Sequence, residues 1–329
     1  MLSKIKIIYM GTPEFAVAPL KSLLDNGFDI PAVVTVPDKP SGRGLKVNES
    51  QVKQFAKENN IDILQPISLK DPDFLKELAN YNADLFIVVA FRMLPKIVWS
   101  MPKMGTFNLH ASLLPQYRGA APINWAIING EEETGVTTFM IDDKIDTGAI
   151  LMQRKCEIEP HETIGTLYDK LMDIGANLVI ETVNGLINNS IKPKLQQEFI
   201  SQEINIKDAP KITKEICRIN WNNNALNIER QIRGLSPYPC AITTLNIESK
   251  SIDAKIFDAI VDNRGSNNCS CNSMAPEGTI ITDNKSYLIV ACGDNSFLRI
   301  NEIQIAGKKR MHIKDFLAGF RNAESYTFR

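Results

Sequence analysis

Two places in this sequence carry polar residues whose types and spacing could do chemistry. The run Phe107-Asn108-Leu109-His110-Ala111-Ser112-Leu113-Leu114-Pro115 puts an amide and an imidazole two residues apart. If residues 106–109 form a strand, side chains two apart leave the same face, so Asn108 and His110 project together at the strand's end. His110 is one of three histidines. It precedes a loop rich in proline and glycine that runs to Pro122, whereas His161 and His312 sit in polar contexts and read as structural or exposed. The second place is Asp142-Asp-Lys-Ile-Asp146-Thr-Gly148, which follows a strand-like stretch over residues 136–141 and is therefore also expected at a strand's carboxyl end. A carboxylate in such a turn usually serves only the turn, so Asp146 gains its interest from Asn108 and His110. An amide, an imidazole and a carboxylate at adjoining strand ends suit acyl transfer without a covalent enzyme intermediate. No serine or cysteine stands in an evident nucleophile elbow, so the acceptor has to bring its own nucleophile, such as an amine.

Such a set needs a frame that delivers strand ends to one edge, and the first half of the chain predicts one. Apolar runs over 5–10, 30–36, 85–90, 106–109 and 136–141 read as strands, and 13–26 and 162–186 as helices. The run over 85–90 has no polar side chain, as in strands covered on both faces of a parallel sheet. The alternation predicts a doubly wound, Rossmann-like α/β domain over residues 1–189. Its first glycine turn, Gly11-Thr-Pro13-Glu-Phe-Ala16, lacks the second and third glycines of a dinucleotide fingerprint, so a pyrophosphate could not be approached as closely, which argues against a dehydrogenase. Residues 190–208 change composition and read as a linker. Beyond them, residues 224–234 predict a helix, and 241–247, 251–261, 278–282, 287–291 and 298–305 predict short strands of a small β-barrel or sandwich over 209–329. Residues 262–276, rich in Asn, Ser and Gly, read as a loop.

Bulk properties narrow the classes further. The 329 residues are 44% hydrophobic and 23% charged, which excludes a wholly disordered chain. The most apolar run, residues 85–91, is far shorter than the roughly 20 residues a membrane helix needs. The first residues read as a strand rather than a signal peptide. Cysteines at 156, 217, 240, 269, 271 and 292 include one close pair and no second, so reduced thiols of a cytosolic protein are expected rather than a metal site or disulfides. The net charge of −1 hides an asymmetry: residues 1–189 carry −5 and residues 209–329 carry +4, a weak hint of a polyanionic partner for the second half.

Taken together, these motifs resemble the folate-dependent formyltransferases. The resemblance rests on Met10-Gly-Thr-Pro-Glu-Phe15, Asp38-Lys-Pro-Ser-Gly-Arg-Gly44, the 107–115 run with Arg118-Gly-Ala-Ala-Pro122, and Asp142 through Gly148. In the second half it rests on Lys211-Ile-Thr-Lys-Glu215, Ile219-Asn-Trp221 and Ala306-Gly-Lys-Lys309. It implies Asn108, His110 and Asp146 as catalytic residues, 10-formyltetrahydrofolate as co-substrate held near Ser112, Leu113, Leu114 and Pro115, no metal, and an OB-like second domain. The glycine–arginine loop and the second half resemble the branch that formylates the α-amine of methionine on initiator tRNA. That implies tRNA contacts from Lys39, Arg43 and Lys46 in a cytoplasmic, monomeric enzyme of translation initiation. Two segments depart from the family pattern. Ala90-Phe-Arg92-Met-Leu-Pro95 is one residue shorter than usual and carries an arginine, and Asn48-Glu-Ser-Gln-Val-Lys53 replaces a proline-flanked stretch. Another formyltransferase acting on a nucleotide-linked amine, a hydrolase releasing formate from the same folate, and a non-catalytic RNA-binding protein remain open on these residues.

Overall fold

A strand with no polar side chain is stable only where both of its faces are covered. Leu85–Val89, buried at all five positions, is that strand, and the computed structural model sets it in the middle of a seven-stranded sheet. The structure describes residues 5–41, 46–200, 205–248, 250–262, 275–320 and 322–329. The chain divides into two compact units. The first comprises Met1–Pro122, Glu133–Glu157 and Tyr168–Ala209, and the second Ile123–Glu132, Ile158–Leu167 and Pro210–Arg329.

In the first unit the strands are β1 (Lys6–Gly11), β2 (Asp29–Val34), β3 (Asp62–Leu64), β4 (Leu85–Val89), β5 (Thr106–His110), β6 (Glu133–Met140) and β7 (Ile150–Glu157), in the spatial order β7-β6-β5-β4-β1-β2-β3. Strands β3, β2, β1, β4 and β5 are parallel. Their order reverses between β1 and β4, the kind of switch point beside which open α/β sheets bind ligands. The remaining pair, β6 and β7, joins antiparallel at one edge, so the expected parallel sheet is parallel over five strands. One face buries Ile8, Met10, Ala32, Val34, Phe86 and Val88 against Phe74, Leu78 and Val98.

Local sequence explains the helices. The expected helix over 13–26 resolves into a 3-10 turn, Glu14–Ala16, and α1 (Val17–Asp25). Two further short helices, which the sequence reading did not include, are marked by an apolar face and by their caps. In α2 (Gln51–Glu58) the Ser50 hydroxyl accepts from Lys53 N, and in α3 (Pro72–Asn80) the Asp71 carboxylate accepts from the backbone N–H of Asp73 and Phe74 with Pro72 at the first position. The helices α4 (Pro122–Ile128) and α5 (Ile164–Ile187) follow.

The second unit wraps α6 (Ala225–Leu235), capped by Asn224, with six antiparallel strands: β8 (Ala241–Ile247), β9 (Lys250–Val261), β10 (Ile280–Thr282), β11 (Leu288–Ala291), β12 (Phe297–Ile305) and β13 (Thr327–Phe328). Their order is β10-β11-β12-β9-β8-β13, and a seventh short strand, Met311–His312, pairs with β12 off this path. A bridge between Thr279 and Thr327 brings the two edges together, which makes the sheet a nearly closed barrel. Its core joins Ile228, Ile232 and Leu235 of the helix to Leu245, Ile256, Val290 and Ile300 of the strands. Trp221 stacks on Phe328 at 5.5 Å, and its Nε1–H donates to Thr243 Oγ1 at 2.9 Å. The five sequence-predicted strands match β8–β12 to within two residues at either end. Residues 263–274, most of the expected loop and including Cys269 and Cys271, lie outside the described residues. The other four cysteines are buried free thiols. Among the described residues no helix is long and apolar enough to cross a membrane.

Where composition suggested a linker over 190–208, the described part of that segment counts with the first unit. Lys194 pairs with Ile150 at the start of β7, Gln196–Phe199 forms a 3-10 turn, and Asp208–Ala209 lies parallel to Arg118–Gly119.

Candidate active site

Strand β5 has β4 on one side and β6 on the other, with Asn108 opposite Val88 and Phe139, and His110 opposite Thr137. The two-residue spacing therefore does what the sequence suggested: Asn108 and His110 leave one face at the carboxyl end of a parallel strand. His110 is 7% exposed. Its ring stands edge-on to Phe139, and its Nε2 lies 2.8 Å from Tyr117 O. A carbonyl oxygen only accepts, so Nε2 carries the hydrogen. In the neutral ring Nδ1 is then an acceptor. It faces Asp146 Oδ2 across 3.8 Å, beyond hydrogen-bond reach. Two acceptors thus face each other, and a hydrogen supplied between them satisfies both.

Asp146 does not arrive by the route expected. Because β6 runs antiparallel to β5, its carboxyl end, Met140, lies opposite Phe107 at the far edge of the sheet from His110. The chain has to turn back to bring the carboxylate to the imidazole. Gly148 permits that turn, since a Cβ there would sit 1.6 Å from Met140 O. Asp146 itself takes a left-handed backbone, φ 53°, a conformation that Asp and Asn tolerate better than most residues. Asp142 closes the loop by accepting from Lys144 N and Thr147 Oγ1. The Asp146 carboxylate accepts from Gly119 N at 3.0 Å. Tyr117 and Gly119, two residues apart in one loop, therefore hold the imidazole and the carboxylate respectively.

Asn108 Oδ1 is buried and has no hydrogen-bond partner. The fold makes no use of that oxygen, which a buried polar atom rarely permits outside a functional site. The segment Ser112–Pro115 leaves directly from His110 and is fixed through its backbone. Thr137 Oγ1 donates to Ser112 O and accepts from Leu114 N, Gln153 Nε2 donates to Leu114 O, and Ser112 Oγ donates to Gln116 O. Leu114 is buried, while Leu113 remains half-buried and packs against Gly135. Thr137 and Gln153 were not singled out in the sequence, whereas Tyr117 and Gly119 fall in the proline- and glycine-rich loop that follows His110. Thr137 had a weak signal, as one of two adjacent threonines in a mostly apolar stretch.

The unusual Arg92 follows β4 at the same carboxyl edge. Its guanidinium donates to Pro66 O and Ile67 O and lies 5.2 Å from the Phe91 ring centroid, so it anchors its own segment to a neighbouring loop. Lys39 and Lys46 fall in two short strands, Lys39–Ser41 and Lys46–Asn48, that pair antiparallel. Arg43 between them lies outside the described residues. Among the described residues no group of His, Cys, Asp and Glu could hold a metal ion.

Comparison with known proteins bears on both units. The family model described as formyl transferase matches residues 3–183, and that described as formyl transferase, C-terminal domain, matches residues 211–321. The methionyl-tRNA formyltransferase of Parabacteroides distasonis is 50% identical over 325 residues, and that of Bacteroides thetaiotaomicron 47% over 323, each match covering 98% of both chains. Among solved structures, a sugar 3N-formyl transferase crystallised with dTDP and 5-N-formyl-THF superposes with a TM-score of 0.62 at 25% identity, covering 93% of this chain and 99% of its own. Both halves match in chain order, and each of these curated relatives matches over 98% of its length. The strand-end amide and imidazole, and the carboxylate folded back to meet them, therefore sit in a chain that belongs to the formyl transferase family.

Proposed function

We propose that this enzyme transfers the formyl group of 10-formyltetrahydrofolate to the α-amine of methionine carried on initiator tRNA, with Asn108, His110 and Asp146 as its catalytic residues. The observation that carries the reading is the pair of acceptors, His110 Nδ1 and Asp146 Oδ2, facing each other across 3.8 Å with Nε2 already committed to Tyr117 O. A peptide α-amine has a pKa near 8, so much of it is protonated at neutral pH and must shed a proton to attack. Nδ1 is the ring nitrogen left to take that proton, and the carboxylate beside it stabilises the cation formed. The amine nitrogen bonds to the formyl carbon, and the carbonyl oxygen becomes an oxyanion. The amine nitrogen loses its second proton as the bond from that carbon to the folate nitrogen breaks, and the folate nitrogen gains a proton in its place. The Nδ2 hydrogens of Asn108, not its oxygen, suit donation to the oxyanion, a contact commonly worth about 10²–10³ in rate. The backbone-locked segment Ser112–Pro115 suits the folate, because half-buried Leu113 offers an apolar contact next to the reacting edge.

The names of the full-length relatives favour methionyl-tRNA as acceptor over a sugar amine, since the sugar-enzyme likeness is far more distant. On this reading the enzyme works in the cytoplasm as a monomer, and the basic residues Lys39, Arg43 and Lys46 contact the acceptor end of the tRNA. The deciding assay is transfer of labelled formyl from the folate to charged initiator tRNA, with uncharged tRNA and free methionine as controls. Label reaching only the charged tRNA supports the reading, and label reaching a nucleotide-linked amine instead overturns it. For Arg43→Ala, kcat/KM on initiator and elongator methionyl-tRNA is expected to converge if the guanidinium reads bases. It is expected to fall equally for both, with a shallower salt dependence, if the guanidinium binds phosphate. Values equal to the parent on both tRNAs at two salt concentrations remove the loop from recognition.

A further inference from the structure

The turn-back of the chain that brings Asp146 to His110 is held from outside the strands that carry the site. Gln196, only 3% exposed, donates through Nε2 to Asp146 O at 2.9 Å and to Gly148 O at 2.9 Å. Its Oε1 accepts from Arg118 Nε at 3.1 Å and Nη2 at 2.6 Å. One amide thus spans two loops: the one bearing the carboxylate, and the one whose Tyr117 O and Gly119 N hold His110 and Asp146. The rest of the same segment is tied to that second loop. Lys207 O accepts from Tyr117 N at 2.7 Å, Lys207 N donates to Gln116 Oε1, and Ala209 O accepts from Ala120 N. Gly119 has φ 126° and no room for a side chain, since a Cβ would meet Ala209 O at 2.5 Å. Gln196 itself lies between the two segments that the family models match.

We propose that Gln196 is a positioning residue for catalysis. The stretch joining the two family segments is part of the active site, and its glutamine fixes the loop that aims Asp146 at His110. This rests on the catalytic reading of Asp146. The left-handed backbone of Asp146 is not held by a strand end, because β6 ends at the opposite edge of the sheet. The two amide hydrogens of Gln196 supply the fixed point. Reacting groups lose about 10²-fold in rate when misplaced by about an ångström, so the device acts on turnover and not on folate affinity.

The experiment compares Gln196→Leu and Gln196→Glu in the parent and in an Asp146→Asn background, reading kcat, KM for the folate and the thermal midpoint of the full chain. Leucine removes all four hydrogen bonds. Glutamate keeps an acceptor for Arg118 but turns an oxygen toward the carbonyls of Asp146 and Gly148. Both are expected to lower kcat by about 10–100-fold with KM for the folate within twofold, and to have no further effect once Asp146 is asparagine. If the leucine variant does not fold, the glutamate variant decides alone. A kcat within twofold of the parent in either folded variant overturns the proposal. So does a loss that multiplies fully with that of Asp146→Asn, which would place Gln196 in another role. If Asp146→Asn by itself leaves kcat unchanged, the catalytic reading of the carboxylate fails first, and the positioning role falls with it.

Discussion

Replacing Asn108 with alanine should remove most turnover while leaving the fold nearly as stable as before, and both magnitudes follow from the site. Oδ1 of Asn108 is buried without a partner. An unsatisfied buried polar group costs about 1–3 kcal/mol, and truncation removes that burden. Against this stands the loss of the side chain's packing on β5, which for a small polar residue costs on the order of 1 kcal/mol. The terms oppose each other and are of similar size, so the net change should stay within about 1 kcal/mol, or about 2–4 °C in Tm for a unit of this size. Loss of an oxyanion donor, in contrast, raises the barrier by about 2.7–4 kcal/mol and lowers kcat about 10²–10³-fold. The assay measures steady-state formyl transfer to charged initiator tRNA and thermal unfolding on one preparation. Loss of activity together with a Tm drop above about 10 °C would mean the amide belongs to the scaffold, because stability effects of that size come from core disruption. A kcat within roughly fivefold of the parent would mean that Asn108 does not meet the developing charge.

Leu113→Asp should raise KM for the folate at least about tenfold, since a carboxylate set against an apolar ring costs several kcal/mol unless it is neutralised. Leu113→Ala separates this from lost packing on Gly135, and an unchanged KM in the aspartate variant would move the folate contact elsewhere. Beyond the carboxyl end of β2, hydrogen bonds from Lys53 and then Gln65 hold the Asp38 carboxyl below its usual range. Because the folded value is depressed, the stability from this contact is complete above the unfolded pKa, about 3.9, and fades as pH falls through the folded one. Asp38→Asn should therefore flatten the decline of Tm with pH in the acid range, and an unaltered slope would show that the contact contributes nothing.

The sequence by itself determined the frame and the chemistry offered on it. An all-apolar run such as Leu85–Val89 has one comfortable place, the middle of a sheet covered on both faces. A two-residue spacing on a strand fixes that Asn108 and His110 share a face, whatever packs around them. The broken glycine pattern after β1 argued against a dinucleotide from local sterics alone. The short strands of the second unit were legible because turns and alternation are local signals; α2 and α3 carry local signals too, an apolar face and the caps Ser50 and Asp71, and were not expected. Tertiary structure alone decided how the site closes. Strand direction is set by the sheet and not by the strand's own residues, so nothing in residues 136–148 announced that β6 runs antiparallel and that Asp146 must be folded back to His110. Gln196 was equally silent, because its partners are backbone carbonyls 48 and 50 residues away together with Arg118. A backbone oxygen has no residue type to read, and contacts made through it become visible only when the chain has folded.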